Sequence, residues 1–123
     1  MKKIIFTGGS GKFGEIFKKF NFGRTNIYYP SSNTFDVTNL KKMEKFIKKI
    51  KPKVIVHTAA VSRPMELHER KIEKSINTNI IGTSNIVNLC QKYRIKLIYF
   101  SVSNVIYTIK FKYIVVVYSA ADK

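Results

Sequence analysis

The chain has 123 residues, which allows one folded domain and excludes a second lobe of comparable size. It is 45% hydrophobic and 13% aromatic, so a folded globular protein is expected rather than a disordered one. The formal net charge of +16 arises from 23 Lys+Arg against 7 Asp+Glu. Most of these cations are lysines, many of them on the polar faces of predicted helices, whereas base recognition favours bidentate arginines. A nucleic-acid partner is therefore the less favoured interpretation of the charge.

The cysteine content and the apolar segments indicate the compartment. Cys90 is the single cysteine, so the chain cannot form an internal disulfide, which suits a reducing cytoplasm. The N-terminal run Met1–Thr7 is too short for the apolar core of a signal peptide. The apolar stretch Val105–Tyr118 contains Lys110 and Lys112 and is too short to cross a bilayer. We therefore expect a cytoplasmic protein without a membrane partner.

Signals for strands and helices alternate from the first residues onward. Lys3–Thr7 is a short apolar run that ends at two glycines, which is typical of a buried parallel strand. A helix is predicted to begin near Gly11 and to end at Asn21-Phe22-Gly23. The apolar residues that give it a helical period are Phe13, Ile16, Phe17 and Phe20. Asn26–Tyr29 is the predicted second strand, and the turn residues from Pro30 onward end it.

The same alternation continues to the middle of the chain. A second helix is predicted with Thr38 or Asn39 as its N-cap and with Pro52 marking its exit. Its apolar stripe consists of Leu40, Met43, Ile47 and Ile50. The third strand is Val54–Val56.

A long third helix and a fourth strand complete the regular pattern. The helix carries one apolar face at Ile76, Ile80, Thr83, Val87 and Cys90, and a second at Ile81, Ile86 and Leu89. Two apolar faces predict burial by more than one partner, and a homodimer is one way to provide the second. Lys96–Phe100 is the fourth strand.

This order predicts an α/β fold with a Rossmann-type doubly wound parallel sheet, incomplete at about four to five strands. Residues 1–104 form the predicted Rossmann half-domain. The character changes over residues 105–123, where β-prone residues follow one another without a turn residue. This tail is interpreted either as a fifth strand or as an unstructured, aggregation-prone segment.

A glycine-rich loop between the first strand and the first helix carries the clearest functional signal. Its sequence is Thr7-Gly8-Gly9-Ser10-Gly11-Lys12-Phe13-Gly14. A side chain at Gly8 would obstruct the tight turn, Gly11 allows a pyrophosphate to approach the backbone, and Gly14 lets the helix pack on the strand. The helix N-terminus then offers amide groups and partial positive charge to phosphates. A phosphate-loop NTPase is excluded, because Phe13 follows Lys12 where a Ser or Thr would hold magnesium.

Further stretches, taken together with this loop, match the pattern of a known family. In chain order they are Asp36-Val37-Thr38, His57-Thr58-Ala59-Ala60, Asn79-Ile80-Ile81-Gly82-Thr83 and Tyr99-Phe100-Ser101. With them the chain resembles the extended short-chain dehydrogenase/reductase family, the NAD(P)-dependent epimerases, dehydratases and reductases of nucleotide sugars. The match covers Met1 to about Val105. The short second strand and the Asp-Val-Thr stretch look most like the dTDP-4-dehydrorhamnose reductase branch, which reduces a 4-keto sugar nucleotide.

The resemblance implies a set of cofactor-binding residues. They are Gly8, Ser10, Gly11, Lys12, Phe13, Gly14, Asp36, Val37, Ala59, Ala60, Asn79 and Ser101. Each site has a structural alternative: Asp36 also suits the start of the second helix, the alanines also suit packing, and Asn79 also suits a local hydrogen bond. His57 is interpreted as a hydrogen-bonded core histidine, and Cys90 as a core residue without an activating partner. No metal site is predicted.

The choice between NADP and NAD depends on the end of the second strand. A carboxylate at this position would bind the ribose 2′-hydroxyl of NAD. The residues here are Tyr29-Pro30-Ser31-Ser32, with no acid. Ser31, Ser32 and Lys12 suit a 2′-phosphate, which favours NADP.

The chain departs from the family at the catalytic residues. The family's active-site Ser or Thr falls on Val102, and no Tyr-x-x-x-Lys sequence follows, since Tyr107 has Phe111 at that spacing and Tyr113 has Val117. No catalytic residue is therefore assigned. One hypothesis is a nucleotide-sugar reductase or epimerase that is truncated or frame-shifted near its last 20 residues or so. The alternative is a non-catalytic module that binds a dinucleotide and regulates or scaffolds a partner.

Overall fold

The computed structural model describes residues 1–58, 72–103, 108–110 and 114–120. Side chains are described as far as Tyr99, apart from those of Lys12 and Ser75. The strands are β1 (Ile4–Thr7), β2 (Ile27–Tyr28), β3 (Val54–His57), β4 (Lys96–Ser103), β5 (Thr108–Lys110) and β6 (Ile114–Ala120). The helices are α1 (Lys12–Phe20), α2 (Leu40–Ile50), α3 (Ile72–Ser75), a π-helical segment (Ile76–Ile81) and α4 (Gly82–Tyr93).

The described strands form one sheet in the order β2-β1-β3-β4-β6-β5. All neighbouring pairs up to β6 are parallel, and β5 runs antiparallel to β6 at the edge. The connection from β2 passes over β1 to β3, so the strand order reverses direction at β1. This is the doubly wound α/β arrangement that the sequence predicts, with its switch point between β1 and β3.

The C-terminal part of the sheet differs from the sequence prediction. Residues 105–123 were expected to supply one strand or none, and the structure has two, the short antiparallel β5 in addition to β6. The sequence contains no turn residue between them, so the β-prone run gave no sign of a reversal. Strand β4 also continues past Phe100 to Ser103, because β6 pairs along it from Leu97↔Ile114 to Ser103↔Ala120.

The hydrophobic core lies on both faces of the sheet and is unequal. The larger cluster joins β1, β3 and β4 to α2 and α4, and it includes Ile5, Met43, Ile47, Ile55, Ile86 and Leu89. The smaller cluster lies on the α1 face and consists of Phe6, Ile27 and Val56, with Phe17 packed against it. Asn39 begins α2 as its N-cap, and its side-chain oxygen accepts a hydrogen bond from the Lys42 amide.

Two predicted apolar stripes are less buried than their spacing suggested. On α1, Phe17 is half-buried, but Ile16 is 53% exposed and Phe20 is 85% exposed. At this edge the sheet ends at the two-residue strand β2, so it is too narrow to cover the whole helix. On α2, Leu40 lies at the first turn and remains 43% exposed, while the rest of its stripe is buried.

The predicted long third helix is not a single α-helix. Residues 72–93 begin as the short α3, widen into the π-helical segment and return to α-helix at Gly82. The predicted second face is buried at Ile86 and Leu89, whereas Ile76, Ile80 and Ile81 of the π-helical segment are 42%, 64% and 45% exposed. Over only six residues, apolar spacing does not distinguish an α-helix with 3.6 residues per turn from a wider π-helix. The sequence therefore predicted one continuous α-helix where the structure has a π-helical segment. No helix in the described ranges is long and apolar enough to cross a membrane.

Candidate functional site

A cleft of about 610 Å³ lies at the carboxyl ends of β1, β2 and β3. Its lining comes from the glycine loop, the residues after β2, the Asp36 segment, Thr58 after β3 and Thr78 of the π-helical segment. In doubly wound sheets, ligands bind outside the carboxyl ends of the strands at the point where the strand order reverses. The cleft occupies that position.

Two glycines of the loop are required by the fold itself. Gly8 has φ of 76°, in the left-handed region that side chains disfavour. A Cβ on Gly14 would lie 2.6 Å from the Gly8 carbonyl oxygen and from two Gly9 backbone atoms. The first turn of α1 therefore packs directly against the loop, and a side chain at either position would disturb the strand–turn–helix unit.

Gly11 differs from these two glycines. Its backbone is extended, with φ of −77° and ψ of 174°, a conformation open to any residue. A Cβ on Gly11 would meet only the Gly8 carbonyl oxygen, at 3.4 Å, which is ordinary van der Waals contact. The packing of the described residues therefore does not require a glycine at position 11. Because Gly11 lines the cleft, the missing side chain instead leaves space for a ligand.

The first turn of α1 supplies hydrogen-bond donors beside the cleft. Gly11 is the N-cap of the helix and provides no side-chain cap. Its own amide donates to the Gly8 carbonyl at 3.1 Å and is used within the loop. The amides that follow, from Lys12 onward, belong to the first turn, where an α-helix offers no carbonyl acceptor of its own. Amides in this position and the helix dipole favour an anionic group.

The Asp36 segment, residues Asp36–Thr38, also lines the cleft. The Asp36 carboxylate accepts hydrogen bonds from the Thr38 amide at 2.9 Å and the Thr38 hydroxyl at 2.6 Å. Val37 is buried, its carbonyl accepts from the Asn85 side chain at 3.0 Å, and its methyl group lies 2.6 Å from the position of a Cβ on Gly82. The Asp-Val-Thr stretch is thus fixed against α4 and holds its carboxylate at the cleft.

His57 ties the ends of the strands together beneath the cleft. Its Nδ1 lies 2.8 Å from the Thr7 hydroxyl, its Nε2 lies 3.3 Å from the Thr83 hydroxyl, and its ring stacks on Tyr99. Burial lowers the pKa of His57 to about 4, so the imidazole is neutral at physiological pH. This agrees with the interpretation of His57 as a hydrogen-bonded core residue. Burial likewise raises the pKa of Cys90 to about 12, so its thiol stays protonated.

The structure brings part of the predicted site together. Five of the predicted cofactor-binding residues line the cleft: Gly8, Ser10, Gly11, Asp36 and Val37. Lys12, Phe13 and Gly14 form the first turn of α1, and the Phe13 ring stacks on Phe6 of the sheet. Asn79 is half-buried in the π-helical segment, whose contribution to the lining is Thr78. Ala59 and Ala60 lie outside the described residues, as does the side chain of Ser101.

Several lining residues were not named as site residues from the sequence. They include Thr7, Lys18, Tyr29, Thr58 and Thr78. The two threonines at the strand ends are linked, because the Thr58 amide and hydroxyl donate to the Thr7 hydroxyl oxygen and carbonyl at 3.1 and 2.6 Å. Thr7 ends β1 and Thr58 directly follows β3, and these positions were a usable signal, since parallel strands end at one edge. Lys18 gave no such signal, because it lies well inside the first helix.

Fold and cleft together define a Rossmann-type α/β protein. The chain belongs to the RmlD substrate binding domain family, whose model matches residues 1–109. This family membership agrees with the resemblance to reductases of nucleotide sugars that the motifs carry.

The chain is also similar to individual known proteins. The chain is 33% identical over 88 residues to "Probable polysaccharide biosynthesis protein EpsC" of Bacillus subtilis (strain 168). It is similar to the structure of dTDP-4-dehydrorhamnose reductase from Yersinia enterocolitica, with 28% identity and a TM-score of 0.74 over 85% of the chain. The fold is also that of the Bacillus anthracis dTDP-4-dehydrorhamnose reductase in complex with NADP, with 24% identity and a TM-score of 0.74 over 83% of the chain.

These relatives are longer than the chain. The matched regions span 36% of the Yersinia enterocolitica reductase and 37% of the Bacillus anthracis reductase. The match to the Bacillus subtilis protein covers 69% of this chain and 14% of that protein.

Proposed function

We propose that this chain binds NADP or NAD as the cofactor-binding part of a nucleotide-sugar reductase. The observation that carries the proposal is Gly11, which lines the cleft and lacks a side chain although the described fold has room for one. In this glycine pattern, the second glycine allows the backbone to approach a pyrophosphate. The diphosphate would lie against the loop and the first-turn amides of α1.

The remainder of the cleft suits the adenosine end of the same cofactor. Asp36 and Val37 are proposed to face the adenine, from the wall that α4 supports. Ala59, Ala60, Asn79 and Ser101 stay in the proposed site through the family resemblance. Structural neighbours bind such cofactors, including NADP in the Bacillus anthracis reductase and in a GDP-mannoheptose C4 reductase from Campylobacter jejuni. When bound, the nicotinamide would supply or accept a hydride.

The proposed substrate is a nucleotide sugar, by analogy with these relatives. No Tyr-x-x-x-Lys sequence occurs in the 123 residues, and that pair provides the acid/base group of the family. The chain alone is therefore expected to bind cofactor without reducing a 4-keto sugar nucleotide. A homodimer, which would cover the second apolar face of the third predicted helix, also stays a prediction.

Substitution at Gly11 tests the proposed cofactor site. NADPH or NADH should raise the thermal unfolding midpoint of the wild-type chain, because a ligand that binds the folded state stabilises it. G11V should unfold within a few degrees of the wild type without ligand, since its Cβ has room, and should lose the ligand-induced rise.

G14A provides the matched control in the same loop. Its Cβ would lie 2.6 Å from backbone atoms. G14A should therefore lower the free energy of unfolding by roughly 1–3 kcal/mol, and with it the thermal midpoint, even without ligand. If G11V is still stabilised by both cofactors as strongly as the wild type, the proposed binding mode is wrong.

A further inference from the structure

Lys18 reaches from the second turn of α1 to the end of β2. Its Cε lies 3.3 Å from the position that a Cβ on Gly9 would occupy, so the side chain extends back along the helix to the glycine loop. Its Nζ lies over the Tyr29 ring, 5.0 Å from the centroid. Lys18 and Tyr29 both line the cleft. The aromatic ring thus holds the ammonium group at the point where β2 ends.

The chemistry around this ammonium group favours an anion. Among the described residues that line the cleft, Lys18 is the only one with a cationic side chain. Ser31 and Ser32 line the same cleft, directly after Tyr29 and Pro30. The Ser31 hydroxyl lies 3.3 Å from the Thr34 hydroxyl and accepts a hydrogen bond from the Thr34 amide at 3.3 Å. The acidic lining residue, Asp36, lies in the following segment and directs a carboxylate oxygen to Thr38.

The end of the second strand is where a dinucleotide held on the first loop presents its adenosine ribose. A carboxylate there hydrogen-bonds the 2′-hydroxyl of NAD and repels a 2′-phosphate, whereas a cation attracts that phosphate. In this chain the position holds the ammonium group of Lys18 and two serines, with no carboxylate among residues 29 to 32. The local charge is therefore opposite to that of an NAD-selective site.

We propose that Lys18, held across Tyr29, binds the 2′-phosphate of the cofactor and makes the cleft select NADPH over NADH. This inference rests on the proposed function, and it adds the residue that determines cofactor selectivity. A charge-assisted hydrogen bond in a partly open cleft is expected to favour NADPH roughly tenfold. The preference should shrink at high ionic strength, because salt screens an exposed pair.

The test compares dissociation constants for NADPH and NADH by the fluorescence of the reduced nicotinamide. K18M keeps an unbranched side chain over Tyr29 and removes the charge, and K19A removes the neighbouring exposed lysine as the control. The wild type and K19A should bind NADPH about tenfold more tightly than NADH. K18M should lose that preference, with NADH affinity unchanged within about twofold.

The outcomes separate the two proposals. If the wild type binds neither cofactor, the proposed function fails. If it binds both equally, or if K18M weakens both in the same proportion, cofactor binding stands and the assignment of Lys18 is overturned. Equal loss of preference in K18M and K19A would indicate a general effect of surface charge and would also overturn it.

Discussion

His57 is buried with hydrogen bonds at both ring nitrogens, and this makes stability depend on pH. Burial lowers the pKa of His57 to about 4 in the folded chain, against about 6.5 for an unfolded histidine. The folded state therefore disfavours protonation of His57. Above pH 6.5 the imidazole is neutral in both states, and its protonation takes nothing from the free energy of unfolding. As the pH falls from 6.5 to about 4, the unfolded chain takes up a proton first, and stability is lost over that window.

Urea unfolding at pH 7 and at pH 4 gives the free energies of unfolding of the wild type and of H57Q. Their difference should fall by about 3 kcal/mol between the two pH values, because H57Q lacks the titrating group. A constant difference between wild type and H57Q would contradict the buried, neutral imidazole.

Some residues of the proposed site were predictable from the sequence, and others were not. The glycine loop and Asp36 were predictable, because their roles depend on local sequence and on the strand before them. Lys18 and Tyr29 were not, since their contact joins a helix to a strand and depends on how far the lysine side chain extends. The room beside Gly11 also needed coordinates, because the pattern treats all three glycines alike.

At the scale of elements, the junction between the Asp36 segment and α4 depends on Gly82. A Cβ on Gly82 would lie 2.6 Å from a Val37 methyl carbon and 3.1 Å from the Val37 Cβ. Val37 is only 7% exposed and has little freedom to move away. The helix therefore approaches the cleft wall as closely as glycine permits.

G82A is expected to destabilise the chain by roughly 1–3 kcal/mol through overpacking, measured by urea unfolding. S84A, on the exposed side of the same helix, should change stability by less than about 0.5 kcal/mol. The double variant V37A/G82A should be less destabilised than the sum of the single variants, because the crowding methyl group is gone. Strict additivity would show that the two residues are not in contact.

The elements themselves were largely predictable, and the exceptions have physical causes. The alternation of apolar strands and amphipathic helices predicted β1 to β4, α1 and α2, and Asn39 was one of the two candidates for the N-cap of α2. The π-helical segment was missed because six residues carry too little periodicity to show a wider turn. Strand β5 was missed because its run contains no turn residue, and its position depends on pairing with β6.

At the scale of the molecule, the two ends of the sheet differ in character. The carboxyl ends carry the cleft, the glycine loop and Asp36. The amino ends carry cations at Lys3, Lys53 and Lys96, which are neighbours because the Lys53 amide donates to the Lys3 carbonyl and the Lys96 amide to the Lys53 carbonyl. Some of the cations that give the net charge of +16 thus lie away from the proposed site. Anion binding alone would therefore not identify the cleft.

The most direct measurement is an amide ¹H–¹⁵N correlation spectrum of the chain during titration with NADPH. The largest shifts are expected at Gly8–Gly14, with further shifts at Tyr29 and at Asp36, where the diphosphate and adenosine would lie. The lysine-rich outer face of α2 should be little affected. Shifts that concentrate on the α2 lysines, or glycine-loop amides that do not respond, would contradict the claim that the first turn of α1 holds a dinucleotide.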